Sequence, residues 1–313
     1  MVITSLAERI YQAQCFGNVE PVEYMVPYPN LGSLPEGQTI KYGDQVLYKN
    51  IQMTNNDFFY RVGKTANWLV RNGVQPDDRI LVKNMKFPNA EILAFGIWTL
   101  GASIVITSGN ESEQVKNIVK PQMIIDNLDQ TIISSIDKES KEFYPNKKPL
   151  LNSEALVYLN NNRGIRLSHY NLLVNAYGVQ QKLNIAPDTT IQIDIATNST
   201  AWVVLQAILP LYSRAAITTG NADIKISDDS NNKSADYKIE NDLSDITKSK
   251  PNNIYILPEA TAVLCIGNDP NFLTSYNFKK NTLAINGPSV MMGYLDDTES
   301  NRVFTENSLE LKI

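Results

Sequence analysis

"ALVYLNNNRGIRLSHYNLLVNA", Ala155 to Ala176, reads as a strand, a loop and a helix. Ser168 suits the helix N-cap, because its hydroxyl can accept an orphan N–H of the first turn, and His169 then lies in that turn. A loop that brings backbone close to a phosphate needs glycines, which have no side chain to hold the ligand off. This loop carries three asparagines, an arginine and one glycine instead. Whether a phosphate-binding loop once stood here governs the reading of the rest.

Outward from this stretch the pattern is regular. On its N-terminal side, Thr54–Asn72 reads as a helix whose Phe59, Val62, Ala66 and Leu69 form one apolar face, with Gly73 placed for a left-handed C-cap. "PDDR" turns into the strand "ILV". Pro88 suits the first turn of the helix "NAEILAFGIWTL", which Gly101 ends. "ASIVIT" is the next strand, "ESEQVKNIVK" a polar-faced helix stopped before Pro121, and "QMIID" a further strand. On the C-terminal side follow the strand "IQIDIA", a helix around "TAWVVLQAILPLY" and the strand "AAITT". Strands alternating with helices through short connections mean βαβ units, a parallel sheet and an α/β fold.

Asn221–Asn253 breaks the pattern. It is rich in Asn, Asp, Ser and Lys, and reads as a surface excursion with a little edge-strand character. "NIYIL", "TAVLCIG" and "NTLAING" then read as short strands, so the end of the chain is more β-rich. The division expected is an α/β subdomain over 1–220 and a shortened, β-rich subdomain over 221–313.

The totals exclude several classes. With 313 residues the chain can form one large or two ordinary domains, and 43% hydrophobic with 19% charged residues describes a globular protein. A net charge of −5 argues against a nucleic-acid surface. Cys15 and Cys265 have no metal spacing and read as free core residues. His169 is the only histidine, so it is the only candidate for a histidine general base, and a first-turn residue with a local hydrogen bond is the plainer reading. No run of about twenty apolar residues is present to span a bilayer. With no leader visible, a cytoplasmic protein is expected.

Three stretches resemble the adenylate-forming superfamily of acyl-CoA synthetases, peptide-synthetase adenylation domains and luciferases. "FFYRVGKTANWLVRNGVQPDDRILVKNMKFPNAEILAFGIWTLGASIVITS", Phe58–Ser108, is similar to its opening. "ALVYLNNNRGIRLSHYNLLVNA" is similar to its phosphate-loop stretch. "LAINGPSVMMGYLDDTESNRVFTEN" is similar to its "G-P-x-V-M-x-G-Y" stretch. Together they run from about Ile40 to Asn307, with a poorly matched middle. The resemblance implies the family's large-domain fold, with its parallel-sheet βαβ layers.

The departures carry the functional reading. In the family a Ser/Thr/Gly-rich loop wraps the ATP phosphates and a lysine closes it. Here the loop is shorter, Arg163 stands where the lysine would, and Gly164 matches the glycine after it. Arg163 could hold an anion, though a salt-bridged arginine is the plainer reading. The family's "Y-G-x-T-E" is matched by "YILPE": Tyr255 and Glu259 keep its ends, while Ile256 and Pro258 replace its glycine and threonine. Tyr255 would stack near an adenine and Glu259 would help hold magnesium, but a lone carboxylate is a poor metal site. The segment that builds the acyl pocket is short, and the ribose-binding aspartate and the C-terminal domain with its catalytic lysine, which in the family follow the matched residues, are expected to be missing.

Arg163, Gly164, Tyr255 and Glu259 are therefore expected to form a vestigial nucleotide site, with no catalytic residue and no metal ligand. The expected function is a non-catalytic homologue acting as a binding or scaffold subunit, with no cofactor and with a protein partner or self-association. Two alternatives stand beside it. One is a ligase with an altered ATP site, completed by a partner and using ATP, AMP and magnesium. The other is a nucleotide- or acyl-CoA-binding module.

Overall fold

A computed structural model describes residues 4–24, 26–109, 117–160, 163–244, 246 and 250–313. Its first sheet has the order Met123–Ile125, Arg79–Val82, Ser103–Thr107, Glu154–Asn160, Arg163–Ser168. The first four run parallel and the last folds back antiparallel. The central residues of Arg79–Val82, Ser103–Thr107 and Glu154–Asn160 are apolar and buried, as strands covered on both faces require. Most of the segment "ESEQVKNIVK" lies outside the described residues.

The helix Asn55–Arg71 starts where its sequence says it should. Thr54 and Asp57 form a reciprocal capping box. Its buried face carries Phe58, Val62, Ala66 and Leu69. Phe59, expected on that face, is only half-buried, one position out of phase. The next helix, Asn89–Leu100, is buried almost all round and ends at Gly101 with φ +92°. These two helices pack on each other, as do the helix His169–Lys182 and the segment from Trp202. Trp202–Ile208 is a π-helix that continues as the α-helix Leu209–Ser213. Pro210 has no N–H to donate back to the preceding turn, and the wider turns before it absorb that loss.

The second sheet has nine strands among the described residues. Thr190–Asp194, Ile224–Ser227, Tyr237–Glu240 and Asn253–Ile256 run parallel through its middle. The expected surface excursion, Asn221–Asn253, thus supplies two interior strands. Each is four residues long and has a single buried apolar residue, Ile226 and Ile239 respectively. Thr190–Asp194 lies between Ala216–Ile217 and Ile224–Ser227, so residue 220 falls inside one continuous sheet. A third, antiparallel sheet joins Ser275–Lys279, Thr282–Asn286 and Leu309–Lys312.

Cys15 and Cys265 are free; Cys265 is buried and Cys15 half-buried. Among the described residues no helix is long and apolar enough to cross a membrane.

Candidate functional site

The expected loop is a β-hairpin. Asn160 pairs with Arg163, so residues 161–162, outside the described set, are all that separates the two strands. Arg163 and Gly164 belong to the second strand. The alternation in "GIRLS" suits a strand whose Ile165 and Leu167 face the core. The segment 292–295 lies along that strand's free edge. Arg166 N–H donates to Gly293 O at 3.0 Å, Met292 N–H to Arg166 O at 2.8 Å and Leu295 N–H to Gly164 O at 2.8 Å. A Cβ at Gly164 would stand 2.3 Å from Leu295 Cδ1. Its smallness admits Leu295, whose side chain fills the space beside it.

Arg163 and Glu259 are brought together, with Tyr294 between them. Arg163 pairs with Glu299 at 3.5 Å and lies 5.8 Å from the centroid of the Tyr294 ring. Tyr294 Oη donates to Glu259 Oε1 at 3.0 Å. Arg302 pairs with Glu299 from the other side. Burial raises the Glu259 pKa, against the lowering effects of a backbone hydrogen bond, the Tyr294 hydroxyl and the Arg163 charge. Burial and the neighbouring Glu259 push the Tyr294 phenol up, so it stays a donor. Tyr158 lies near both Glu259 and Ser108, and Ser108 Oγ reaches Asn160 Oδ1 at 3.2 Å. Ser108 and Asn160 mark the C-terminal ends of two parallel strands, the edge at which such sheets bind ligands.

Glu259 sits in the tight turn Pro258–Ala260, followed by Thr261 at φ +74° and ψ −65°. Ala262 N–H donates to Ala260 O at 3.0 Å, closing a γ-turn of the strained hand. Such a backbone persists only where its surroundings hold it. Thr261 Oγ1 donates to Ser289 O at 2.6 Å. Asn175, fully buried, accepts from Val263 N–H at 3.1 Å and donates to Val263 O at 3.0 Å, Ser289 Oγ at 3.2 Å and Ala260 O at 3.4 Å. Sequence reading missed Asn175. Its signal was a polar residue set within the apolar run Leu172–Ala176.

Tyr255 and His169 do not join this cluster. Tyr255 is buried, pairs across the sheet with Cys265 and sits close to Tyr276. His169 does open its helix, but its hydrogen bond is not local: Nδ1 accepts from the Leu31 N–H at 3.3 Å. Nε2 has no partner, and burial pushes the pKa down to about 3. The ring is enclosed and too weakly basic to take a proton from a substrate near neutral pH. Among the described residues no group of three or more His, Cys, Asp or Glu side chains is placed to hold a metal ion.

No family model matches the chain, and no curated protein does. Solved structures match well in shape. MatB from Rhodopseudomonas palustris, also solved with ATP bound, is 14% identical in its apo form, with a TM-score of 0.74 covering 91% of this chain and 75% of that one. The O-succinylbenzoate coenzyme A synthetase MenE from Bacillus subtilis is 10% identical, with a TM-score of 0.74 over 90% of this chain and 75% of its own. The nonribosomal peptide synthetase FmoA3, in its AMPPNP-bound form, is 12% identical, with a TM-score of 0.70 over 99% of this chain and 43% of its own. At such identities the likeness speaks for architecture: the chain has the α/β fold of the adenylate-forming, acyl-CoA synthetase-like enzymes.

Proposed function

We propose that this protein is a non-catalytic relative of the AMP-forming acyl-CoA synthetases that serves as a binding or scaffold subunit. One observation carries the reading. Three of the four residues expected to meet a nucleotide are taken up by other side chains: Leu295 fills the space beside Gly164, Glu299 and the Tyr294 ring hold Arg163, and Tyr294 binds Glu259. Adenylation rests on holding a triphosphate, neutralising its charge and placing a carboxylate in line with it, work done by preorganised charge and backbone amides. Arg163 and Gly164 lie in a strand paired with Asn160 and Leu159, not in a loop free to wrap a phosphate.

Calorimetric titration of the protein with ATP and magnesium tests this reading. No saturable heat up to about millimolar ATP is the expected result, and pull-down for a protein partner then follows. Micromolar binding, about −8 kcal/mol, or formation of acyl-adenylate from a panel of carboxylic acids would overturn it. The protein would then be a ligase with an altered ATP site.

A further inference from the structure

Arg79, Ser103 and Glu154 open three parallel strands of the first sheet, at the edge opposite Ser108 and Asn160. A cleft of about 740 Å³ lies along this second edge, lined by those three residues together with Asp78, Lys120 and Arg166. It is polar, with Val119 the one apolar lining residue among those described. Most of its polar groups are already spent. Arg79 donates Nε and Nη2 to Glu154 and Nη1 to Val119 O at 3.3 Å. Glu154 takes a third bond from Arg166 Nε, and its backbone carbonyl accepts from Ser103 Oγ at 2.9 Å. Asp77, also on the rim, is paired with Lys147, and Asp78 Oδ2 accepts from Gln75 N–H at 2.7 Å.

Two cationic groups are left over. Arg166 bonds only through Nε, so Nη1 and Nη2 have no partner among the described residues, and its side chain is 33% exposed to the cleft. Lys120 makes no hydrogen bond or ion pair among the described residues. Its backbone stands at φ +49°, a region side-chain-bearing residues seldom adopt, next to the Val119 carbonyl that Arg79 holds. Setting Glu154 against Arg79 and Asp77 against Lys147 leaves Arg166 and Lys120 facing Asp78 alone, so positive charge is in excess. A cationic ligand would meet like charge here, and an apolar one would strip water from both groups and replace nothing. An open guanidinium fork beside an ammonium group suits the oxygens of a carboxylate or phosphate. We infer that this cleft is an oxyanion site, which takes a small polar ligand by its carboxylate or phosphate group, held on Nη1 and Nη2 of Arg166 and on Lys120.

NMR of the arginine side-chain N–H signals tests the inference, with the full chain titrated at low ionic strength against inorganic phosphate and, separately, acetate. The Arg166 signal, identified by its loss in Arg166→Lys, should shift saturably with a midpoint of about 1–10 mM for at least one of them. The anion with the lower midpoint tells a phosphate group from a carboxylate. Two charge variants then locate the site without disturbing the Glu154 pairing. Lys120→Gln should raise the midpoint about fivefold, and Asp78→Asn, which keeps an oxygen for Gln75 N–H, should lower it about threefold. Both should keep the wild-type circular dichroism. No saturable shift of Arg166 up to about 50 mM of either anion, a shift confined to Arg163 and Arg302, or midpoints indifferent to both variants overturns the proposal.

Discussion

Gly164 shows how a residue can keep its identity while its reason changes. In a phosphate loop the missing side chain makes room for a ligand, and here it makes room for Leu295. Gly164→Ala should therefore cost stability, about 1–3 kcal/mol as for other overpacked sites. Leu295→Ala in the same chain should recover part of that loss. Denaturant midpoints for the two single variants and the double one measure the coupling; additive losses would contradict the packing account. His169 gives a second residue-scale outcome. Its folded pKa is depressed to about 3 by burial, below the ordinary 6.5. The stability contributed by the neutral ring is present above pH 6.5 and is lost as pH falls toward 3. Since His169 is the only histidine, its imidazole NMR signal is unambiguous. The signal should stay neutral from about pH 8 down to pH 5; a midpoint near 6.5 would mean the ring is not enclosed. That His169 opens a helix was legible from Ser168 beside it. Its burial was not, because it depends on Leu31, far away along the chain.

At the scale of the element, the hairpin Glu154–Ser168 is tied down at its base by one carboxylate between two guanidinium groups. Glu154 accepts from Arg79 Nε at 2.8 Å and Nη2 at 2.9 Å, and from Arg166 Nε at 2.7 Å. Burial alone would raise its pKa, but the hydrogen bonds and charges of Arg79 and Arg166 win and hold it below the ordinary carboxylate value. Its stabilisation is therefore full above about pH 4.5 and is lost as pH falls through the lower folded value. Glu154→Gln should cost about 2 kcal/mol at neutral pH, less than for a fully buried pair because the side chains are partly wetted. It should also flatten the acid limb of the stability curve, as read from urea midpoints between pH 3 and 7; an unchanged limb would remove Glu154 from this role. The strand "ALVYL" was legible from its apolar run. The return strand was not, because "NNNRGIRLS" reads as a loop until its partner residues are known. Register is a property of two segments, and sequence periodicity describes one at a time.

Across the whole molecule, the nine-stranded sheet joins what composition separates. The polar stretch after residue 220 reads as a loop because four-residue strands with a single buried apolar residue each are too short to show a period. Their placement comes from Thr190–Asp194, which aligns Ile224–Ser227 through four paired positions. The two parts should then unfold together. Ile226→Ala, in the middle of this sheet, should lower stability by about 2–4 kcal/mol and keep a single transition. Fragments 1–220 and 221–313, expressed apart, should each lack a cooperative transition of their own; a fragment melting sharply by itself would show the sheet to be divisible. The α/β class was legible in the βαβ rhythm of the first half. The joining of the halves was not, since it is fixed by contacts between strands.

The pairing of Asn160 with Arg163 has an engineering consequence. A hairpin tip at a sheet's ligand edge is a natural graft point, because the entropy of closing a loop grows only slowly with its length. A glycine-rich insert placed between these two residues, with Leu295 cut back to alanine, would add a phosphate cradle to this fold. Nucleotide affinity gained in such a chimera would measure how much room for a ligand this edge of the sheet can offer.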